Sequence, residues 1–471
     1  MKSLKRIILL IVIFIVFVGI KYILIMDQYK EVVDSGGYNN WRMTQRPLYS
    51  TNSKIEFLID EAKELELKLW WRSLTGSIEV KITDNKGNLY FSKKASQVEN
   101  KYSIPLNEGK YKMEIAVSNF SGAAALGYEN IIIVNEFPNN NYSIIPSNPA
   151  KGFKWEYILY IPDKVKANKL LVVPNNTGNV SDNINIHKEK AKELILYKSE
   201  LAEELGVPLL VPIFPRPKAY EELYTHALDR ETILTNISEL KRLDLQLIAM
   251  IDDCKEILSK KRIKIDEKIL IAGFSASGDF VDRFTFLHPE IIRAAFIGGS
   301  DNIIPYENFN KENMPYPLGV YDYEKITGEK FSIDLIADIN RYIYKGSEDE
   351  GGWQIYEENG KVTTYTGKEY FEKFEVRQLI DSLKQRNIPI YVDGDITSMK
   401  EISFRAYNGK ILIDRFLLIK DIFDRLNLGK SEFVIYEGVG HEITKEIRQD
   451  ELEFFNKILK ESVGTRVRSI N

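Results

Sequence analysis

The feature that most constrains the fold of this chain is a serine placed between an apolar strand and a helix. Residues 269–278 read Ile-Leu-Ile-Ala-Gly-Phe-Ser-Ala-Ser-Gly, so Ser275 has Gly273 two residues before it and Ser277 two residues after it. Small flanking residues are needed because the backbone of such a strand-to-helix turn is too crowded for larger side chains. A serine hydroxyl is a poor nucleophile unless it is exposed beside a base and amide donors. The pattern predicts that Ser275 is a nucleophile.

This turn resembles the nucleophile elbow of the α/β-hydrolase superfamily, with Ser277 where that family usually has glycine. From about residue 144 onwards, apolar strands alternate with longer helical stretches, which is typical of a doubly wound, mostly parallel α/β sheet. We therefore expect an α/β catalytic domain over residues 144–471. The predicted strands are 157–161, 170–173, 209–213, 269–272, 294–297, 342–344 and 433–436.

The base is predicted from the four histidines of the chain. His441 follows an apolar strand and a Gly-x-Gly turn, and an imidazole on such a loop can reach back to the serine. The resemblance implies the same residue, since the superfamily orders its triad as Ser, then Asp or Glu, then His. His288 fits better as the end of the helix after the elbow, and His187 as a loop or helix-surface residue.

Three aspartates compete for the role of the acid that orients the histidine. Asp349 closes Gly-Ser-Glu-Asp after the apolar run 342–344, which matches the Gly-x-x-Asp loop usual in the superfamily. Asp395 is the rival and Asp393 stands behind both, at the end of the apolar run 388–392. We favour Asp349 from motif position, although every Asp beside Gly also fits a solvated turn.

The resemblance further implies two backbone amides that stabilise an oxyanion. One is the amide of Ala276, directly after the nucleophile. The other comes from the loop after the strand 170–173, which reads Pro-Asn-Asn-Thr-Gly, and is left open between Asn176 and Thr177. A structural turn is the alternative interpretation of this loop.

A candidate substrate pocket follows the strand 209–213, where polar and aromatic residues are dense. Arg216, Tyr224 and His226 could line it, because ligands of open parallel sheets bind beyond the carboxyl ends of the strands. The alternative is an ion-pair network of Arg216, or of Asp229 with Arg230, that braces a long loop.

Two inserted segments are predicted in the catalytic domain, around 300–335 and 353–415. Five aromatic residues in the first could form a lid over the active site, and packing of an inserted cap explains them equally well. These residues are Tyr306, Phe309, Tyr316, Tyr321 and Tyr323.

The stretch 41–136 is predicted to be a small all-β sandwich. Apolar and polar residues alternate in several short runs, separated by turns such as Asp-Asn-Lys-Gly at 84–87. It is similar to the accessory β modules of secreted hydrolases. Four aromatic residues could offer a sugar-stacking platform, but core packing is favoured. They are Trp70, Trp71, Tyr90 and Tyr102.

Residues 1–30 predict a cytoplasmic stub and an uncleaved transmembrane signal-anchor. Lys2, Lys5 and Arg6 precede a mostly apolar run over 7–26, in which Lys21 is the single charged residue. Roughly twenty such residues can span a bilayer, and positive charge before them favours export of everything that follows. We expect a single-pass protein of the cell membrane with its catalytic domain on the extracytoplasmic side.

Composition and motifs exclude several other classes of function. The net charge of −4 and the absence of basic tracts argue against nucleic-acid binding. The single cysteine, Cys254, lies on an apolar helical stripe and is predicted to be an inert core thiol. No metal-binding or nucleotide-binding motif is present, so no metal and no cofactor are expected.

The resemblance implies a serine esterase of the esterase and polyester-depolymerase branch, acting on an ester substrate through a Ser275 acyl-enzyme. Two alternatives stay open. The same triad could transfer an acyl group to a cell-surface glycan, and a silent hydrolase scaffold could serve as a surface binding protein.

Overall fold

The computed structural model describes most of the chain, and its residues divide into two compact units, Met1–Glu136 and Phe137–Asn471. Each unit has its own buried cluster of apolar side chains. The described residues are 18, 21–30, 41–59, 61–129, 131–134, 136–176, 180–220, 223–300, 302–309, 312–349, 352–356, 362–366 and 411–468.

The first unit is an antiparallel sheet of six strands in the order β3-β2-β5-β1-β6, with β4 pairing to the first half of β2. β3 pairs with the second half of the same strand. The strands are β1 (Trp41–Ile59), β2 (Lys63–Asp84), β3 (Leu89–Ala95), β4 (Gln97–Leu106), β5 (Gly109–Glu129) and β6 (Ile132–Ile133).

The stretch predicted as a small all-β sandwich forms, in its described residues, one continuous sheet folded around its main apolar core. Residues 65, 67 and 69 of β2 are buried in this core, and so are residues 78, 80 and 82. Register shifts between Ser73 and Ser77 change the side-chain alternation from odd to even positions. Both halves of the long strand therefore turn the same face inward.

The aromatic residues of this unit serve mainly packing. Trp70 and Trp71 are each only 1% exposed, which removes them from a sugar-stacking platform. Tyr102 packs edge-on against Phe91, and the more exposed Tyr90 packs edge-on against Tyr111.

Residues 21–30 form a helix, α1, that contacts this sheet. Ile25 and Trp70 belong to one small apolar cluster, and the Tyr29 ring lies 6.0 Å from that of Trp70. The predicted membrane segment 7–26 lies largely outside the described residues. Within the described ones, no helix combines the length and the apolar character that crossing a bilayer requires.

The second unit has an α/β fold, as predicted. Its eight-stranded sheet has the order β18-β15-β12-β11-β9-β10-β8-β7, and all neighbours are parallel except that β8 runs against β7 and β10. The strands are β7 (Tyr142–Ile145), β8 (Tyr157–Tyr160), β9 (Leu171–Val172), β10 (Leu209–Pro212), β11 (Ile269–Phe274), β12 (Ile292–Gly298), β15 (Asn340–Gly346) and β18 (Ser431–Tyr436).

Helices cover both faces of this sheet, which makes it doubly wound. One apolar cluster joins the sheet to α4, α5 and α8, and the other joins it to α2 and α9. The helices are α2 (Ile184–Leu205), α3 (Arg230–Leu234), α4 (Leu243–Lys260), α5 (Ala276–Leu287), α6 (Tyr323–Thr327), α7 (Ile333–Ala337), α8 (Ile411–Arg425) and α9 (Lys445–Arg468). Cys254 is fully buried on α4.

One boundary of the second unit differs from the prediction. The second unit begins at Phe137 rather than at 144, because β7 pairs with β8 as the edge strand of the sheet. The predicted insert at 300–335 contains the short hairpin β13 (Asn308–Phe309) and β14 (Glu312–Asn313), followed by α6 and α7. Most of the insert at 353–415 lies outside the described residues, which include there the hairpin β16 (Gly352–Tyr356) and β17 (Val362–Thr366).

Candidate active site

Ser275 occupies a strained turn at the carboxyl end of β11. Its backbone angles are φ 60° and ψ −132°, which are rare for a residue that carries a side chain. Such a conformation persists only where the surroundings fix it. The Ser275 amide donates to the Gly298 carbonyl of β12 at 3.0 Å, and the Asp279 amide donates to the Ser275 carbonyl at 3.0 Å. The strand-to-helix turn predicted around the serine is therefore present.

The small residues of the turn are required by close backbone contacts. A Cβ on Gly273 would lie 2.1 Å from the Ser277 carbonyl oxygen, and a Cβ on Gly278 would lie 2.3 Å from the Gly298 carbonyl oxygen. The Ser277 hydroxyl accepts from the Phe274 amide at 3.1 Å and donates to the Phe274 carbonyl at 2.9 Å. A serine in place of the usual glycine thus adds hydrogen bonds that close the turn.

His441 and Asp349 come together at the same edge of the sheet. They follow the adjacent parallel strands β18 and β15, and His441 Nδ1 lies 2.9 Å from Asp349 Oδ1. Asp349 is 3% exposed, so its carboxylate is shielded from water. The predicted pair is therefore in hydrogen-bond contact. The rivals Asp393 and Asp395 lie outside the described residues.

The His441 ring packs beside the elbow. Its centroid is 4.7 Å from that of Phe274, the residue before Ser275. A Cβ on Gly299 would lie 3.1 Å from His441 Cε1 and 2.8 Å from Phe274 Cε2, so both rings rest on the backbone of Gly299. In the described part of the chain the hydrogen bond of the His441 ring goes to Asp349. Catalytic hydrogen bonds of substrate-free sites are often long and tighten only when the substrate binds.

The predicted amide donors lie on two elements. Ala276 is the first residue of α5 and directly follows the serine. Asn176 lies in the loop after β9, whereas Thr177 lies outside the described residues. Asn175, which was not predicted as a site residue, is 1% exposed. Its Oδ1 accepts from the Phe214 amide at 3.1 Å and its Nδ2 donates to the Phe214 carbonyl at 2.9 Å, which ties this loop to the one after β10.

His226 lies beneath these loops and not on a substrate surface. It is 1% exposed, and its Nε2 lies 2.9 Å from the Phe214 carbonyl oxygen. Burial holds the pKa of His226 well below its usual value of 6.5, and the neighbouring His187 and Arg216 act in the same direction. The Arg216 guanidinium, also buried, lies 3.9 Å from the centre of the Tyr224 ring.

The loop that follows is braced by polar contacts. Arg230 pairs with Asp322 at 2.6 Å and donates to the Tyr316 carbonyl at 2.8 Å. Asp229 caps α3 by accepting from the Thr232 amide at 2.9 Å. These contacts fasten the segment around Tyr316 to the domain.

The aromatic residues of the 300–335 segment are mostly packed inward. Tyr316 and Tyr323 belong to the main apolar cluster, and Tyr306 packs against it. Tyr321 is 49% exposed. Packing therefore accounts for most of the aromatic residues that could have formed a lid.

Buried polar groups lie behind the elbow. Burial raises the pKa of the Asp282 carboxyl on α5 and of the Tyr344 phenol on β15. Among the described residues, no three His, Cys, Asp or Glu side chains are grouped so as to hold a metal ion. A strained serine, an imidazole and a buried carboxylate are the groups brought together, and such a set can remove the proton of a hydroxyl nucleophile.

Two residues that contact the candidate site, Phe274 and Gly299, were missed from the sequence. A Gly-Gly pair at the end of an apolar strand was the available signal for the second. Nothing in the sequence indicates which side chains pack on it.

No known sequence family and no curated protein matches the chain. Solved structures similar to it include poly(aspartic acid) hydrolase-1 from Sphingomonas sp. KT-1, with 14% identity, a TM-score of 0.41 and coverage of 66% of this chain and 97% of that one. A poly(3-hydroxybutyrate) depolymerase from Bordetella parapertussis has 13% identity and a TM-score of 0.35, with coverage of 61% of this chain and 78% of that one. Carboxyl esterase 2 from the fungus Tuber melanosporum has 11% identity and a TM-score of 0.35, with coverage of 69% of this chain and 88% of that one. At these values the likenesses carry no conclusion about chemistry, which depends on the geometry of the chain itself.

Proposed function

We propose that the chain is a serine hydrolase of the α/β-hydrolase superfamily that cleaves carboxylic esters. The observation that carries the proposal is the convergence at one sheet edge of the strained Ser275 and the His441–Asp349 pair. The His441 ring packs on Phe274, next to the serine, and its Nδ1 is within hydrogen-bond distance of Asp349. An arrangement of nucleophile, base and orienting acid is recognised by such geometry and not by sequence order.

The proposed reaction assigns one step to each group. Ser275 Oγ attacks the ester carbonyl while His441 Nε2 takes its proton, and Asp349 holds the proton of the imidazole on Nδ1. The Ala276 amide and an amide of Asn176 or Thr177 bind the oxyanion. His441 then protonates the leaving alcohol, and water attacks the acyl-Ser275 ester by the same route in reverse.

The proposed location is the cell membrane, with the catalytic unit on the extracytoplasmic side. The support is the basic residues before the apolar run 7–26. If the proposal is right, carbonate at high pH leaves the full-length protein in the membrane pellet. Release of the full-length chain into the supernatant contradicts it.

A fluorophosphonate probe tests the catalytic proposal, because it labels only an activated serine. We expect labelling of the wild-type chain, loss of labelling in Ser275→Ala, and full labelling in Ser259→Ala, which changes an exposed serine on α4. A folded wild-type chain that stays unlabelled contradicts the proposal and favours the surface binding protein. Addition of an alcohol acceptor to an ester assay separates hydrolysis from acyl transfer, since a transferase yields the new ester in place of the free acid.

A further inference from the structure

The turn Gly298-Gly299-Ser300 at the end of β12 supports both halves of the candidate site. The Gly298 carbonyl accepts the amide hydrogen of Ser275 at 3.0 Å. The rings of Phe274 and His441 rest on Gly299, whose φ of +58° is in the left-handed region. A shift of this turn therefore changes the position of the nucleophile relative to that of the base.

Buried polar side chains hold this turn from behind. Lys345 of β15 donates through Nζ to the Ser300 carbonyl at 3.2 Å. Asn302 donates through Nδ2 to Ser300 Oγ at 2.8 Å. Ser300, Asn302 and Lys345 are each 5% exposed or less. Loss of one of these hydrogen bonds would therefore leave a buried polar atom without that partner, which costs free energy.

The far end of the loop is held by the helix that begins at the nucleophile. Asp282 of α5 accepts from the Ile303 amide at 2.6 Å and also hydrogen-bonds the Asn302 side chain. The helix therefore fixes the loop at Asp282, while its first turn presents Ser275. The turn at Ser275 and the Gly298–Ser300 turn are therefore held in a fixed position relative to each other.

From this arrangement we infer that Ser300, Asn302 and Lys345 are positioning residues of the hydrolase, and this inference rests on the proposed function. They hold the Gly298–Ser300 turn at the place where His441 can take the proton of Ser275. A displacement of reacting groups by about 1 Å can cost about 100-fold in rate. Substitution of one of these residues should therefore slow the chemical step and leave substrate binding unchanged.

The variants Lys345→Met and Ser300→Ala test the inference in the full-length chain. Each removes one bond to the turn, whereas Lys345→Arg and Ser300→Thr keep a donor or a hydroxyl in place. Thr285→Val is the matched control, because it removes a buried hydroxyl of α5, the helix that begins after Ser275. In the described part of the chain this hydroxyl donates to the Val281 carbonyl at 2.7 Å, away from the turn. Turnover of a short aryl ester, fluorophosphonate labelling rate and melting temperature are measured for every variant.

We expect kcat and the labelling rate to fall about 10- to 100-fold in Lys345→Met and Ser300→Ala, with KM within about twofold of the wild type. Lys345→Arg and Ser300→Thr should keep most of the wild-type kcat and labelling rate. Thr285→Val should have a lower melting temperature and the wild-type kcat and labelling rate. Wild-type labelling rates in both test variants overturn the inference while leaving the proposed function intact. So does a rate loss in Thr285→Val as large as that in the test variants at an equal loss of melting temperature. An unlabelled wild-type chain contradicts the proposed function itself.

Discussion

At the scale of single residues, the bond between His441 Nδ1 and Asp349 Oδ1 determines which imidazole nitrogen carries the proton. Asp349→Asn places an amide there, which can donate to Nδ1 and so favours the tautomer that cannot accept from serine. We expect kcat for a short aryl ester to fall about 10,000-fold with little change in fold. Asp395→Asn is the matched control and should keep near wild-type turnover. A collapse of activity in Asp395→Asn alone would show that the acid was assigned to the wrong loop.

The buried His226 predicts a pH dependence of stability. Its pKa is lowered well below 6.5, chiefly by burial, so the unfolded chain takes up a proton below about pH 6.5 that the folded chain does not. The free energy of unfolding should therefore decrease as the pH falls, by up to about 1.4 kcal/mol per pH unit for this one proton. In His226→Gln, which keeps a donor for the Phe214 carbonyl, the slope should be smaller by that amount. Urea unfolding between pH 7.5 and 5.5 measures the slope of the free energy of unfolding against pH. Equal slopes for the wild type and His226→Gln would contradict a lowered pKa of His226.

The residues proposed to carry the chemistry were easier to single out from the sequence than the residues that place them. Ser275, Asp349 and His441 each follow an apolar strand in a turn rich in small or polar residues, and a local pattern reveals such a position. Asn175 and Gly299 owe their roles to backbone groups and rings from distant parts of the chain. Local patterns hold no record of such contacts. The Gly-Gly pair could mark Gly299 as part of a turn, but the groups that these two residues contact became visible only in the structure.

At the scale of elements, α2 and α9 are joined by a buried ion pair. Lys198 Nζ contacts both carboxylate oxygens of Glu451, at 2.6 and 2.7 Å, and both residues are largely buried. Lys198→Met leaves an uncompensated carboxylate and should lower the free energy of unfolding by about 3–5 kcal/mol. The double variant Lys198→Met with Glu451→Leu should recover most of that loss, because two apolar side chains of similar volume replace the pair. Denaturant unfolding of both variants measures this, and equal destabilisation of the two would refute a desolvation origin.

The strands of the second unit were predicted more fully than the shape of the first. Parallel strands buried on both faces are short continuous apolar runs, so the predicted 269–272 and 294–297 fell within the observed β11 and β12. The edge strand β7 was missed because its four residues lie among Asn, Ser and Pro. In the first unit, alternation revealed strands but not that register shifts in β2 fold one sheet around its core. Register shifts depend on pairing with β5, which alternation within one strand does not encode.

At the scale of the whole molecule, the two units have separate apolar cores. Leu67 is buried in the core of the first unit, and Leu247 in the larger core of the second, on the face of the sheet that carries α5. Chemistry is proposed for the second unit alone, since Ser275, Asp349 and His441 all belong to it.

Separate cores predict separate unfolding. Calorimetry of the full-length protein should show two thermal transitions, because each unit loses its own buried surface cooperatively. Leu67→Ala leaves a cavity in the core of the first unit and should lower the free energy of unfolding of that unit alone by about 2–5 kcal/mol. Leu247→Ala should lower the free energy of unfolding of the second unit alone by a similar amount. Below the lower transition of Leu67→Ala, fluorophosphonate labelling of Ser275 should proceed at the wild-type rate. A single transition that both variants shift together would mean that the units unfold as one, and the reaction could then depend on the amino-terminal sheet.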